Sequence, residues 1–151
     1  MSKRIFAASV ALLAVSACVI GADQKAEKKH EFKAVCPVSG KPAVETTAVE
    51  YKGAKVYLCC PACEAPFKKD TAKFAAKANQ QLVATRQAKQ VSCPFTGGEL
   101  NPETAVKVGG VKVRFCCDKC QAKVTKASPE EQVQLVFNDQ AFAKGFEIKK
   151  K

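Results

Sequence analysis

Two stretches in which apolar and polar residues alternate, each folded about a glycine, are the clearest pattern along this chain. In the first, Val49, Tyr51, Val56 and Leu58 flank Lys52-Gly53; in the second, Val106, Val108, Val111, Val113 and Phe115 flank Gly109-Gly110. A period of two marks a strand with one apolar face, and the glycine supplies the positive backbone angle of a tight connection. Each stretch therefore predicts a β-hairpin. Helical spacing follows: Glu64 to Lys69 and Gln121 to Lys126 predict short helices that turn Phe67 and Val124 toward the hairpins. A second helix is expected after each. Asp70 or Thr71 starts one that runs through Phe74 and Ala76 to about Asn79, and Ser128-Pro129-Glu130-Glu131 is a capping box with proline at the first helical position. Gln81-Leu82-Val83 and Gln134-Leu135-Val136, which come next, fit helix or strand equally.

Sliding the chain against itself explains why the pattern occurs twice. Cys-Pro-Val-Ser-Gly at 36–40 matches Cys-Pro-Phe-Thr-Gly at 93–97, Thr47-Ala48-Val49 matches Thr104-Ala105-Val106, and Lys55-Val56 matches Lys112-Val113. Cys59-Cys60-x-x-Cys63 matches Cys116-Cys117-x-x-Cys120 at the same offset, without a gap. Four cysteines stay in register while their neighbours vary, which is the signature of an internal duplication. The expected fold is α+β: two small repeated modules, each a knuckle-like turn, a β-hairpin and a short helix. The first module with its following helix is assigned to 31–88, the second with its helix and basic tail to 89–151.

The residues before the first module read differently. Met-Ser-Lys-Arg, an apolar run from Ile5 to Val15 and the small residues Ser16 and Ala17 match a secretory signal peptide over 1–17. Val15-Ser16-Ala17-Cys18 also resembles a bacterial lipobox, in which Cys18 is acylated and becomes the first residue of the mature chain. Ordinary cleavage after Ala17 or Ala22 is the alternative. Residues 18–30 are polar and lysine-rich and read as a flexible tether. The expected location is the cell envelope, as a periplasm-facing outer-membrane lipoprotein.

Charge and size narrow the picture further. Removing 1–17 takes Lys3 and Arg4 away and lowers the formal charge from +11 to +9. Much of the remainder lies in Lys25, Lys28 and Lys29 of the tether and in Lys149, Lys150 and Lys151. It reads as a solubilising surface with attraction to anionic envelope components, and export argues against nucleic acid as partner. With 7% aromatic residues and no Trp, two modules of this size bury marginal cores and need a staple. Nine cysteines in 151 residues supply one, as disulfides or as thiolate ligands.

Thiolates select soft ions such as Zn(II) and Cu(I), and cysteines three or four apart at a helix start let two sulfurs converge on one ion. Cys60 with Cys63 has the shorter spacing, Cys59 with Cys63 the longer, and Cys36 arrives from a knuckle-like turn. Side chains of adjacent residues diverge unless the backbone turns sharply. The favoured ligand set is thus Cys36, Cys59 and Cys63 with Cys60 as fourth ligand or spare thiol, and in the second copy Cys93, Cys116 and Cys120 with Cys117. Three sulfurs suit trigonal Cu(I) or leave zinc an open position, whereas four close the site. Zinc is the first expectation, Cu(I) or another soft heavy metal the second. His30, the only histidine, lies in the tether and is not counted among the ligands.

Cys-Pro-Val-Ser-Gly, then Tyr-Lys-Gly-Ala-Lys-Val-Tyr-Leu-Cys-Cys-Pro-Ala-Cys and the later Phe67, resembles the YHS and TRASH families of treble-clef-like metal-binding modules, over about 34–75 and 91–128. The resemblance implies a hairpin followed by a helix, cysteines that chelate zinc, copper or other heavy metals, and a sensing or trafficking role. By position, Cys59 and Cys63, and Cys116 and Cys120, match the Cys-x-x-x-Cys after the aromatic strand. The YHS turn reads Asp-Pro-Val-Cys-Gly; here Cys36 and Cys93 stand in the Asp position, and Ser39 and Thr96 replace the cysteine.

Two other readings use the same residues. An exported protein meets an oxidising compartment, so the eight framework cysteines also fit a disulfide-stapled scaffold or interaction protein. Cys60-Pro-Ala-Cys63 and Cys117-Asp-Lys-Cys120 also have the spacing of a thiol–disulfide redox pair, although no βαβ pattern surrounds them. No Ser/His/Asp set, paired catalytic carboxylates or phosphate-binding glycine loop is evident. The expectation is a non-enzymatic, envelope-anchored metal-binding protein.

Overall fold

Both hairpins turn through two residues in the left-handed region. In the computed structural model, which describes residues 32–149, φ is 52° and 77° at Lys52 and Gly53, and 52° and 87° at Gly109 and Gly110. Such turns carry the twist that antiparallel strands need. The first joins β1 (Ala48–Tyr51) to β2 (Ala54–Tyr57) with Val49 opposite Val56; the second joins β4 (Asn101–Val108) to β5 (Val111–Phe115) with Val106 opposite Val113. Val49, Tyr51, Val56 and Leu58, like Val108, Val111, Val113 and Phe115, are buried.

After β2 comes a 3₁₀ turn, Pro61–Cys63, then α1 (Glu64–Lys69), α2 (Thr71–Ala84) and β3 (Ala88–Gln90). After β5 come α3 (Asp118–Thr125), α4 (Pro129–Phe137), α5 (Asp139–Gly145) and β6 (Phe146–Ile148). The architecture is α+β, with three two-stranded antiparallel sheets among the described residues. Phe67 and Val124 are buried as expected, and Phe67 meets the Tyr51 ring edge-on at 5.8 Å.

Both ambiguous segments are helical. Gln81-Leu82-Val83 belongs to α2 because Ala75, Ala78, Asn79 and Leu82 continue a buried stripe at helical spacing. Gln134-Leu135-Val136 belongs to α4, whose capping box forms as expected: the Glu131 N–H donates to Ser128 Oγ at 3.4 Å and the Ser128 N–H to Glu131 Oε2 at 2.9 Å. Ser128→Ala is expected to cost about 1 kcal/mol, read as a lowered urea midpoint. Helix α3 starts earlier than the sequence suggested, at Asp118, with the extended Cys117 as its cap.

The second copy breaks its long helix where the first does not. Asn138 explains the break: its side-chain amide donates to Gln134 O at 2.8 Å, ending α4, while its Oδ1 accepts from the Ala141 N–H at 2.9 Å, starting α5. The chain then enters β6, which pairs antiparallel with β3, Lys89 opposite Glu147. Segments that follow the helices of each copy therefore pair with one another. Helix α2 packs against α4, and one continuous core contains buried residues of both copies, from Cys36 and Val56 to Phe115 and Phe142.

Polar groups buried between the copies are all satisfied among the described residues. Asn79, fully buried, donates to Phe137 O at 2.8 Å and to Asp139 Oδ1 at 3.0 Å. Lys52 reaches the same carboxylate at 2.6 Å, which holds its backbone in a conformation that costs a non-glycine residue about 1 kcal/mol. Gly109 stands at the equivalent turn position for a different reason. A side chain there would run into Gln80, whose amide donates to the Gly109 carbonyl at 2.5 Å. Gln81, Gln87 and Gln90 each pair with both the N–H and C=O of one strand residue (Tyr57, Lys55 and Arg114), occupying hydrogen-bonding positions that an additional strand would take.

Candidate metal centre

Each cluster is assembled from a turn, a strand end and a helix start. Cys36 opens a turn in which Gly40 N–H donates to Cys36 O at 2.9 Å and Cys36 N–H to Lys41 O at 2.8 Å; at Cys93 the matching bonds are Gly97 N–H to Cys93 O at 2.7 Å and Cys93 N–H to Gly98 O at 2.9 Å. Gly40 and Gly97 have φ of 72° and 73°, which favours glycine at both. The turns leave Cys36 and Cys93 with no exposed surface.

Cys59 and Cys116 lie just past the second strand of each hairpin. In the first copy Leu58 N–H donates to Thr47 O at 2.8 Å. In the second, the buried Thr104 hydroxyl donates to Phe115 O at 2.6 Å and accepts from Phe115 N–H at 3.1 Å. Cys63 and Cys120 enter from the helix starts, their N–H groups donating to the carbonyls of Cys60 and Cys117 at 3.1 Å.

The sulfurs of Cys36, Cys59 and Cys63 all lie within 4.8 Å of one another, and so do those of Cys93, Cys116 and Cys120. The remaining two stand at the margins: Cys60 Sγ is 3.7 Å from Cys59 and 3.8 Å from Cys63, and Cys117 Sγ is 3.7 Å from Cys116. Adjacent sulfurs thus approach more closely than strand alternation suggests; both pairs lie in the bend between the end of the strand and the start of the helix. All eight are free thiols; the Cys59 and Cys63 sulfurs are 3.6 Å apart, against about 2.05 Å in a disulfide. Cys18 and His30 lie outside the described residues, as do the expected signal peptide and tether.

No protein-family model, curated protein or solved structure matches the chain. Geometry has to carry the assignment. Four sulfurs at about 2.3 Å from a zinc ion stand roughly 3.8 Å apart at the corners of a tetrahedron. The separations of 3.6, 3.7 and 3.8 Å among Cys59, Cys60 and Cys63, and of 3.7 Å from Cys116 to Cys117 and to Cys120, match that spacing, and Cys36 and Cys93 each come within 4.8 Å of two sulfurs of their cluster. The clusters are compatible with metal binding.

Two hydroxyls complete the surroundings. Ser39 Oγ is 3.1 Å from Cys59 Sγ, and Thr96 Oγ1 is 3.3 Å from Cys116 Sγ. Neither was assigned to the site from the sequence; the available signal was the repeat, which keeps a hydroxyl at that turn position in both copies.

Proton affinities within each cluster are split. Burial alone would raise the Cys36 thiol, but the Ser39 hydroxyl and the N–H groups of Ser39, Cys59 and Val38 bring it down to about 7. Cys93 is likewise brought down to about 7 against its burial, by Thr96 and by the N–H groups of Thr96, Phe95 and Cys116. Cys63 is pushed up to about 12 by its bond with Cys59, then by burial and by Cys60 and Cys36. Cys120 reaches about 12 through burial, then Cys116 and Cys117. Cys60 is lowered by bonding to Cys59, and Cys117 by the Cys120 N–H. One sulfur ionises readily while another keeps its proton because its neighbours are electron-rich, an arrangement that a cation among them would reverse.

The pH dependence follows from the sign of each shift. Between about 7 and 12, of the pair Cys36 and Cys63, only Cys63 must lose a proton on binding; below about 7, Cys36 must lose one too. Zinc affinity at the first cluster is therefore expected to fall on acidification, and to fall more steeply, by about one further decade per pH unit, below pH 7. Chelator competition at pH 6, 7 and 8 checks this, and a flat profile contradicts it.

Proposed function

We propose that this chain is an exported, envelope-anchored metal-binding protein whose two cysteine clusters each take one soft ion, zinc first and Cu(I) second. The observation that carries the reading is the convergence, twice in one chain, of three sulfurs from three separate elements within 4.8 Å. Separations of 3.6–3.8 Å among Cys59, Cys60 and Cys63 suit a tetrahedral thiolate shell such as zinc takes. The resemblance to YHS and TRASH modules supports the same chemistry, and Ser39 and Thr96, where the YHS turn has cysteine, touch the cluster sulfurs. The chain binds rather than catalyses: its concentrated chemistry is thiol, with no acid–base partner assigned to it.

Export and anchoring rest on the residues around Cys18. Acylation of Cys18 after removal of 1–17 would tether the clusters to the membrane through residues 18–30. The test is made on the full-length chain expressed in a bacterium and isolated from the membrane fraction without reductant and under nitrogen. About one zinc per cluster is expected by mass spectrometry, and Cys18→Ala is expected to move the chain into the soluble fraction. Absence of metal together with absence of alkylatable thiols overturns the reading in favour of a disulfide scaffold.

A further inference from the structure

Both clusters are braced by a glutamine, and the two glutamines do not correspond in the repeat. Val35 and its counterpart Ser92 immediately precede the turn cysteines, Cys36 and Cys93; Tyr57 and its counterpart Arg114 stand two residues before the strand-end cysteines, Cys59 and Cys116. In the first copy the side-chain amide of Gln81, from α2, donates to Val35 O at 2.8 Å and to Tyr57 O at 2.7 Å, while its Oε1 accepts from the Tyr57 N–H at 2.7 Å. In the second the amide of Gln90, from β3, donates to Ser92 O at 3.3 Å and to Arg114 O at 2.7 Å, while its Oε1 accepts from the Arg114 N–H at 2.9 Å. The same three backbone groups are held in both copies.

Duplication does not account for this. The residue that corresponds to Gln81 is Asn138, whose amide donates to Gln134 O at 2.8 Å and to Leu135 O at 3.1 Å at the end of α4. Gln90 corresponds to Lys33. The second copy makes its brace from a different element, one held in place by pairing with β6, Gln90 opposite Phe146. One arrangement reached from two unrelated positions points to a requirement of the cluster rather than a by-product of the repeat.

The requirement is geometric. Each brace ties the segment that delivers one sulfur to the strand that delivers another. Ligands held at a fixed spacing before the ion arrives lose less freedom on binding, so affinity rises with no added contact to the ion. Gln81 is 3% exposed and has both amide hydrogens committed. Gln87 supplies a contrast. It pairs with the N–H and C=O of Lys55 on the same strand, at 2.7 Å each, and its third bond goes to Thr85 Oγ1 rather than to the segment before a turn cysteine.

We propose that Gln81 and Gln90 are positioning residues of the metal centres: Gln81 fixes the spacing of Cys36 and Cys59, Gln90 that of Cys93 and Cys116, and each sets the affinity of its own cluster. This inference rests on the metal-binding reading above.

The test uses full-length chains with one working cluster, Cys120→Ser to isolate the first and Cys63→Ser to isolate the second. Zinc affinity is read by competition with a chelator, and ligand geometry by the visible absorption of Co(II) in place of zinc. In the Cys120→Ser chain, Gln81→Ala is expected to lower zinc affinity about ten- to a hundredfold and to shift the Co(II) bands. In the Cys63→Ser chain, Gln90→Ala is expected to do the same. Gln87→Ala, which also removes a paired glutamine from β2, is expected to leave both readings of the first cluster unchanged. Affinities within about twofold of the parent chains with unshifted Co(II) bands overturn the inference and leave metal binding intact. So does an equal loss in Gln87→Ala, which would mark a general effect on the hairpin. If the buried Gln81→Ala chain does not fold, Gln90→Ala, at a half-buried site, decides alone. Parent chains that take up no zinc overturn the metal-binding reading itself, and the inference with it.

Discussion

Cys63→Ser is expected to empty the first cluster and leave the second loaded, and Cys120→Ser to do the reverse. Cys63 stands at the centre of its group: its sulfur is 3.6 Å from Cys59, 3.8 Å from Cys60 and within 4.8 Å of Cys36. Serine is nearly the same size but offers a hard oxygen that does not ionise in this pH range, so a soft ion loses a ligand with no replacement. The remaining sulfurs come from separate elements and cannot close around the gap without moving the turn or the strand end. The affinity at the substituted cluster is expected to fall at least about a hundredfold. Zinc content after gel filtration would drop from about two ions per chain to about one. A variant that still carries both ions would show that Cys63 is not a ligand. Ser39→Ala is the useful contrast: it removes a hydrogen bond to Cys59 without removing a sulfur, so the ion count should stay unchanged.

Asn79→Leu is expected to be the most damaging change outside the clusters. Leucine has the branched heavy-atom outline of asparagine but is bulkier, so it crowds this fully buried site, and both amide donors disappear. Phe137 O and Asp139 Oδ1 lose the bonds they now accept at 2.8 and 3.0 Å. The carboxylate keeps Lys52 at 2.6 Å, whereas the Phe137 carbonyl is left without its side-chain donor. The expected loss is about 2–4 kcal/mol, or a fall in the melting temperature of roughly 10 °C for a unit of this size. Asn79 belongs to α2 of the first copy and its partners to α4 and α5 of the second. The whole transition should therefore shift as one in calorimetry. Two transitions of which only one moves would show that the copies unfold independently.

The hairpins and the helices that follow them are legible in the sequence because each has a repeated signal: alternation about Lys52-Gly53 and Gly109-Gly110, Phe67 and Val124 at equivalent positions, and the Ser128 to Glu131 box. The favoured cysteine triads are legible for a related reason, since spacing and a duplicated register point to the same three sulfurs in each copy. Strands β3 and β6 are not, because three residues carry no period and their partners come from the other copy. The break at Asn138 depends on one side chain serving two helices, and asparagine in a helical pattern does not announce this. The different helix entries, a 3₁₀ turn after Cys60 and an α-helix directly after Cys117, are hidden as well, because the chain reads Cys-Cys-x-x-Cys in both copies.

The central claim is that cysteine sulfur, and little else, holds the ion. X-ray absorption at the zinc edge of the fully loaded chain measures this directly. The account predicts a sulfur-dominated shell at about 2.3 Å, averaging between three and four sulfurs per zinc. That value follows from the three sulfurs that converge in each cluster and the fourth, Cys60 or Cys117, that stands beside them. A shell dominated by oxygen or nitrogen would contradict the account.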